Sequence, residues 1–136
     1  MPKEVVHTCP IVNAHPGYLP NVRGRDALKW AILEGQPVGV TTHVISEETD
    51  AGLLIKQALV PIRPTDTFQT VANRQYDMEI QMLSESISDM RRSPHLTPLD
   101  GSRFAVHKRM PQEKEKEMLN KFQEMITRIS GIMPRP

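Results

Sequence analysis

The sequence predicts an α/β fold: a mixed sheet of a few strands with flanking helices and a C-terminal amphipathic helix. Three observations predict it. Short β-rich runs at 11–15, 38–45 and 53–62 are set off by Pro, Gly or acidic loop residues. A helical period lies between the first and second runs, and a longer one follows the third. After Pro111, apolar residues again recur at helical spacing.

Ile11-Val12-Asn13-Ala14-His15 reads as the first strand. Pro16-Gly17 ends it, and the proline holds His15 extended. Residues 16–24 hold two Pro, two Gly and an Asn, so they read as a loop. Residues 25–34 read as a helix with Ala27, Leu28, Ala31 and Ile32 on its apolar face, widened by Trp30 and Leu33. Asp26 falls in its first turn, where the helix dipole favours a negative charge, and Gly35 is a C-terminal stop. Val38 to Ile45 is a strand, 46–52 an acidic loop containing a glycine, and 53–62 a further strand. The short polar connection argues that these two pair antiparallel. The first strand has no sequential neighbour to pair with, which suggests that preceding βα units are missing.

Thr65 or Asp66 can cap a helix over 66–92, with Gln69 completing a capping box from Asp66. Its stripe of Phe68, Ala72, Tyr76, Ile80, Leu83, Ile87 and Met90 is expected to face the core. Residues 91–101 read as a linker with two prolines, and Arg103 to His107 as a short edge strand. Pro111 opens the final helix, whose stripe is Met118, Leu119, Phe122, Met125, Ile126 and Ile129. Lys114, Glu115, Lys116, Lys121 and Glu124 form a mixed-charge face expected to be solvated. A bundle or dimer contact through this helix is the alternative.

The 136 residues suffice for one domain, divided here into 1–92 and a tail of linker, edge strand and helix at 93–136. A 38% hydrophobic content, three Phe, two Tyr and one Trp, against eight Met, predicts a core that is thin or shared with a partner. A net charge of +1 supplies no global field for nucleic acid or an anionic membrane. The single Cys9 excludes an internal disulfide and reads as a packed thiol. No apolar run is long enough to span a bilayer and no signal core is seen, so the expected address is cytoplasm.

Asn13 and His15 lie two apart on a predicted strand, so both project from one face, at the end where α/β folds place ligands. An amide donor beside an imidazole suits acyl transfer: the amide can hold a developing oxyanion, and the imidazole can do so or move a proton. A satisfied structural histidine is the plainer reading of His15. Asp50 sits in an acidic loop of the kind usually just solvated. Brought near an imidazole, it would orient the ring and raise its basicity. No metal-ligand spacing accompanies these residues.

Asn13-Ala14-His15-Pro16-Gly17-Tyr18-Leu19-Pro20, followed by Arg23-Gly24, resembles the Asn-x-His-Pro-Ser-Leu-Leu-Pro…Gly signature of folate-dependent formyltransferases. That family includes glycinamide ribonucleotide, methionyl-tRNA and sugar-nucleotide enzymes. Trp30-Ala31-Ile32 with Gly35 is similar to the helix that follows in the tRNA and sugar branches. Gly39-Val40-Thr41-Thr42-His43 resembles the family's Gly-Val-Thr strand, Asp50-Ala51-Gly52 its Asp-x-Gly loop, and Gln57 with Val60-Pro61 its next strand. Gly17-Tyr18 stands where Ser-Leu is commoner.

The resemblance runs from about Pro2 to Arg92 and implies the C-terminal half of a Rossmann-like formyltransferase fold. It implies transfer of a formyl group from 10-formyltetrahydrofolate to a primary amine. Asn13 would bind the formyl oxygen and His15 would share that work and manage protons. Asp50 would orient His15 and a relaying water. Thr49, Asp50, Ala51 and Gly52 would line the pterin pocket, with His43, Arg23 and Gly24 in support. The earlier half of that fold has no counterpart, so the expectation is weak or absent turnover by this chain alone. The expected partners are a small-molecule amine, favoured over tRNA, and a second copy or a complementing chain. The alternative is a non-catalytic remnant, or a folate-binding or oligomerising module.

Overall fold

The computed structural model describes residues 11–45, 52–92, 96–100 and 104–132. Strand β1 (Val12–His15) leads through a loop that includes β2 (Arg23–Gly24) into helix α1 (Ala27–Glu34). Strands β3 (Gly39–Ile45) and β4 (Gly52–Leu59) precede the long helix α2 (Phe68–Arg92). Short strands β5 (Thr97–Leu99) and β6 (Val106–His107) then lead to α3 (Gln112–Ile132).

The main sheet has the order β1-β3-β4-β5, and each neighbouring pair is antiparallel. β3 and β4 pair as expected, with an irregularity between Thr42 and His43. The first strand is not left unpaired. It lies antiparallel on β3, Val12 against Val44 through His15 against Thr41. The predicted linker contributes β5, which extends the sheet beyond β4.

The predicted edge strand forms, but away from that sheet: β6 runs parallel to β2 in a ribbon of its own. Contacts with α1 hold it there. The Trp30 and His107 rings stack at 4.1 Å, and the Trp30 indole N–H donates to the Lys108 carbonyl at 2.9 Å. Gly24 has φ +87°, and a Cβ there would lie 2.3 Å from the His107 carbonyl oxygen, so only glycine lets the two strands approach.

Helix α1 buries Ala27, Leu28, Ala31 and Ile32, as its periodicity predicts, and ends at Gly35 in the left-handed conformation. Asp26 differs from expectation. It caps from a left-handed position (φ 51°), and its carboxylate accepts the Met110 N–H at 2.8 Å instead of sitting inside the first turn. α3 packs on α1, burying Met118, Phe122 and Ile126, so its apolar stripe is spent within the chain, with Leu119 left exposed. Its charged face is not wholly solvated, because Glu115 pairs with Lys29 at 2.7 Å.

Helix α2 corrects two expectations. Its N-terminus is capped by Thr67: the Thr67 hydroxyl accepts from the Thr70 N–H at 3.2 Å, and Thr70 Oγ1 accepts from the Thr67 N–H at 3.0 Å. Asp66 is freed for Arg74, which grips both of its carboxylate oxygens at 2.8 and 2.9 Å. The second correction concerns facing. Val71, Gln75, Met82 and Ser86 are buried, whereas Tyr76, Ile80, Leu83 and Ile87 of the predicted core stripe are exposed.

Candidate functional site

The register of β1 on β3 builds the site. Asn13 stands opposite His43, and His15 opposite Thr41. Residues directly across an antiparallel pair share a face, with Cβ atoms about 5 Å apart. Asn13, His15, Thr41 and His43 therefore project from one side of the sheet. His15, Thr41 and His43 are buried; Asn13 is half-buried.

His15 ends β1, and its position is tightly specified. Its Nε2 lies 3.0 Å from the Val22 carbonyl oxygen. A carbonyl only accepts, so Nε2 carries a proton. The His15 carbonyl accepts the Gly17 N–H at 2.8 Å, closing a tight turn. A Cβ on Gly17 would sit 2.8 Å from His15 Nε2, so the glycine at this departure from the commoner serine leaves room for the ring.

The loop that follows is held by buried polar side chains. Thr41 Oγ1 donates to the Gly17 carbonyl at 2.8 Å and accepts the Leu19 N–H at 3.0 Å. The Gln57 amide, on β4 opposite Thr41, donates to the Leu19 carbonyl and to Thr41 Oγ1. From below, the Gln75 amide of α2 donates to the Pro16 and Gly39 carbonyls, each at 3.0 Å. The Leu19–Pro20 peptide is cis. Leu19 itself is 1% exposed and plugs the loop into the core.

The remaining sequence candidates fall in two groups. Arg23 is buried, and its guanidinium donates to the Phe104 carbonyl at 3.0 Å. With Gly24 it fastens β2 to the β6 segment. Gly52 opens β4 with φ +113° and pairs with both Ile45 and Leu99. Thr49, Asp50 and Ala51 lie outside the described residues, as does Cys9.

Sequence reasoning missed Gln75. Thr41 and Gln57 stood inside quoted motifs without a role. A Thr on a β-rich run gives no sign that it will bond a loop 22 residues earlier in the chain. Among the described residues no cluster of three potential metal ligands occurs, and no helix is long and apolar enough to cross a membrane.

Chemically, the face offers an amide donor and two imidazoles in a largely water-excluded patch beside a strand end, the Thr41 hydroxyl being already committed to the loop. That set can hold an oxygen on which negative charge develops and can relay a proton.

The sequence profile of the family described as "Formyl transferase" matches residues 1–87. A methionyl-tRNA formyltransferase from Koribacter versatilis is 32% identical over 130 residues, covering 92% of this chain and 41% of that protein. The chain therefore spans about two fifths of the length of that curated relative. The formyltransferase PseJ from Anoxybacillus kamchatkensis, solved with UDP-4,6-dideoxy-4-formamido-L-AltNAc and tetrahydrofolate, superposes with a TM-score of 0.70 at 26% identity. That match covers 89% of this chain and 71% of PseJ. A phosphoribosylglycinamide formyltransferase from Bacillus halodurans superposes with a TM-score of 0.54 at 30% identity, over 62% of this chain and 44% of that one.

Proposed function

The chain belongs to the formyl transferase family, and we propose that its site serves transfer of a formyl group from 10-formyltetrahydrofolate to the primary amine of a sugar or other small molecule. The observation that carries this reading is the register that sets Asn13 and His15 on one sheet face with His43. PseJ, with tetrahydrofolate and a formamido sugar nucleotide in its structure, supports both the donor class and the preference for a sugar amine over tRNA.

In this reading the acceptor nitrogen adds to the formyl carbon. The Asn13 amide N–H and the His15 ring hold the oxygen as it gains charge. The bond to the folate nitrogen then breaks, and that nitrogen takes up a proton while the acceptor nitrogen gives one up. Asp50 orients His15 and a water that relays that proton, and Thr49 to Gly52 line the pterin pocket. Turnover by this chain alone is weak or absent, and its address is the cytoplasm.

A second reading has an observation of its own. The exposed apolar face of α2 favours a non-catalytic, oligomerising module completed by a second copy or a complementing chain.

Thermal melting with 5-formyltetrahydrofolate, a stable mimic of the donor, separates these readings. A ligand that binds only the folded state stabilises it by about 2.7 kcal/mol at a hundredfold excess over its Kd. A saturable rise in Tm, lost in Asp50→Ala, is expected. No rise in a folded chain would leave the second reading. Where turnover is measurable, Asn13→Ala should abolish it, and near-parental rates would sink the assigned role of Asn13.

A further inference from the structure

We infer that Gln75 is a positioning residue, fixing the turn after His15 against the strand that carries Thr41 and His43; its mechanistic part rests on the formyl-transfer reading above. Gln75 sits on the buried face of α2 and is 5% exposed. Its amide donates to Pro16, the residue immediately after His15, and to Gly39, the first residue of β3. One side chain thus ties the end of β1 to the start of β3, the two strands that bear the candidate site. α2 is 25 residues long and packs across β1, β3 and β4, so the amide is delivered from a rigid support.

An apolar side chain would fill the same space more simply. It would leave a buried and a half-buried carbonyl without these donors, and the turn that sets the His15 ring would lose its lower anchor. Thr41 and Gln57 would still hold Gly17 and Leu19 from the other side. Removing Gln75 should therefore loosen the turn next to His15 more than the loop beyond it.

The test compares Gln75→Met, which keeps the volume and removes the donors, with Val71→Ala, which weakens the same buried helix face without touching the turn. Amide hydrogen exchange and a long-range proton–nitrogen spectrum of the histidine rings are recorded on the whole chain. In Gln75→Met the Gly17 N–H should exchange roughly tenfold faster, the loss expected for about one hydrogen bond. The His15 ring should also lose its single Nε2-protonated signature. In Val71→Ala, exchange should quicken without preference for Gly17, and the His15 signals should not move. Should Gln75→Met fail to fold, Gln75→Asn, with its shorter reach, is read in the same way.

Unchanged Gly17 exchange and an unchanged His15 ring in the folded variant would overturn the proposal. So would equal changes in Val71→Ala. In any form of the protein that turns over, Gln75→Met should lower kcat by about ten- to a hundredfold with donor KM held, since small misplacements of a reacting group cost that much. An unchanged kcat would overturn it as well. The spectroscopic changes without turnover in any form would instead count against the formyl-transfer reading, leaving the positioning role in place.

Discussion

The two faces of α2 differ in the opposite sense to what their composition suggests. The inward face is half polar, with Gln75 and Ser86 buried beside Val71 and Met82. The outward face carries Tyr76, Ile80, Leu83 and Ile87, between 44% and 63% exposed. Apolar periodicity shows that a helix is amphipathic, but not which side meets the sheet. Here the sheet presents backbone carbonyls at Pro16 and Gly39, and a face that can donate to them is favoured over one that can only exclude water. A contiguous exposed apolar stripe, in turn, is the mark of an interaction surface.

Substitutions can break or sharpen this contrast. The largest effect is expected on the inward face. Met82→Ala removes a buried side chain and should cost about 2–5 kcal/mol, read from urea unfolding with an unchanged m-value. A loss no larger than on the outward face would break the contrast.

A smaller effect is expected where the helix begins. Arg74 holds the Asp66 carboxyl well below the usual carboxylate range, against the opposing pull of burial and helped by the Arg63 N–H and the Thr70 hydroxyl. A carboxyl depressed in the folded state contributes stability above its unfolded value, about 3.9, and that contribution fades as pH falls below it. Arg74→Met should therefore lower Tm at pH 7, and the gap to the parent should narrow progressively as pH falls below about 4. A gap of constant size down to pH 2 would mean that Asp66 is not the group responsible.

The smallest effect belongs to the outward stripe. Ile80→Lys and Ile87→Lys should each stay within about 0.5 kcal/mol of the parent by the same unfolding measurement. A large loss in the isolated chain would mean that the stripe is already covered in solution. Sedimentation of the two variants beside the parent would then identify a second copy as the cover.

Much of the fold was legible because it depends on local rules. Gly35 terminates α1 as a glycine able to take a left-handed conformation. The buried face of α1 follows its period residue by residue. Asn13 and His15 were legible as a pair because strand side chains alternate and Pro16 must end the strand. The position of β6 was not legible, since it follows from Trp30 stacking on a histidine far along the chain. Nor was the cap of α2, where Thr67 caps the backbone and Asp66 pairs with Arg74.

The sequence by itself determined the main helices and strands, the family and the candidate residues for the chemistry. Side-chain type and short-range spacing suffice for those. Tertiary structure alone decided that β1 lies on β3, that His43 joins Asn13 and that Gln75 faces inward. Each of these rests on satisfying backbone groups distant in sequence, and no local pattern records which carbonyl a folded chain will leave in need of a donor.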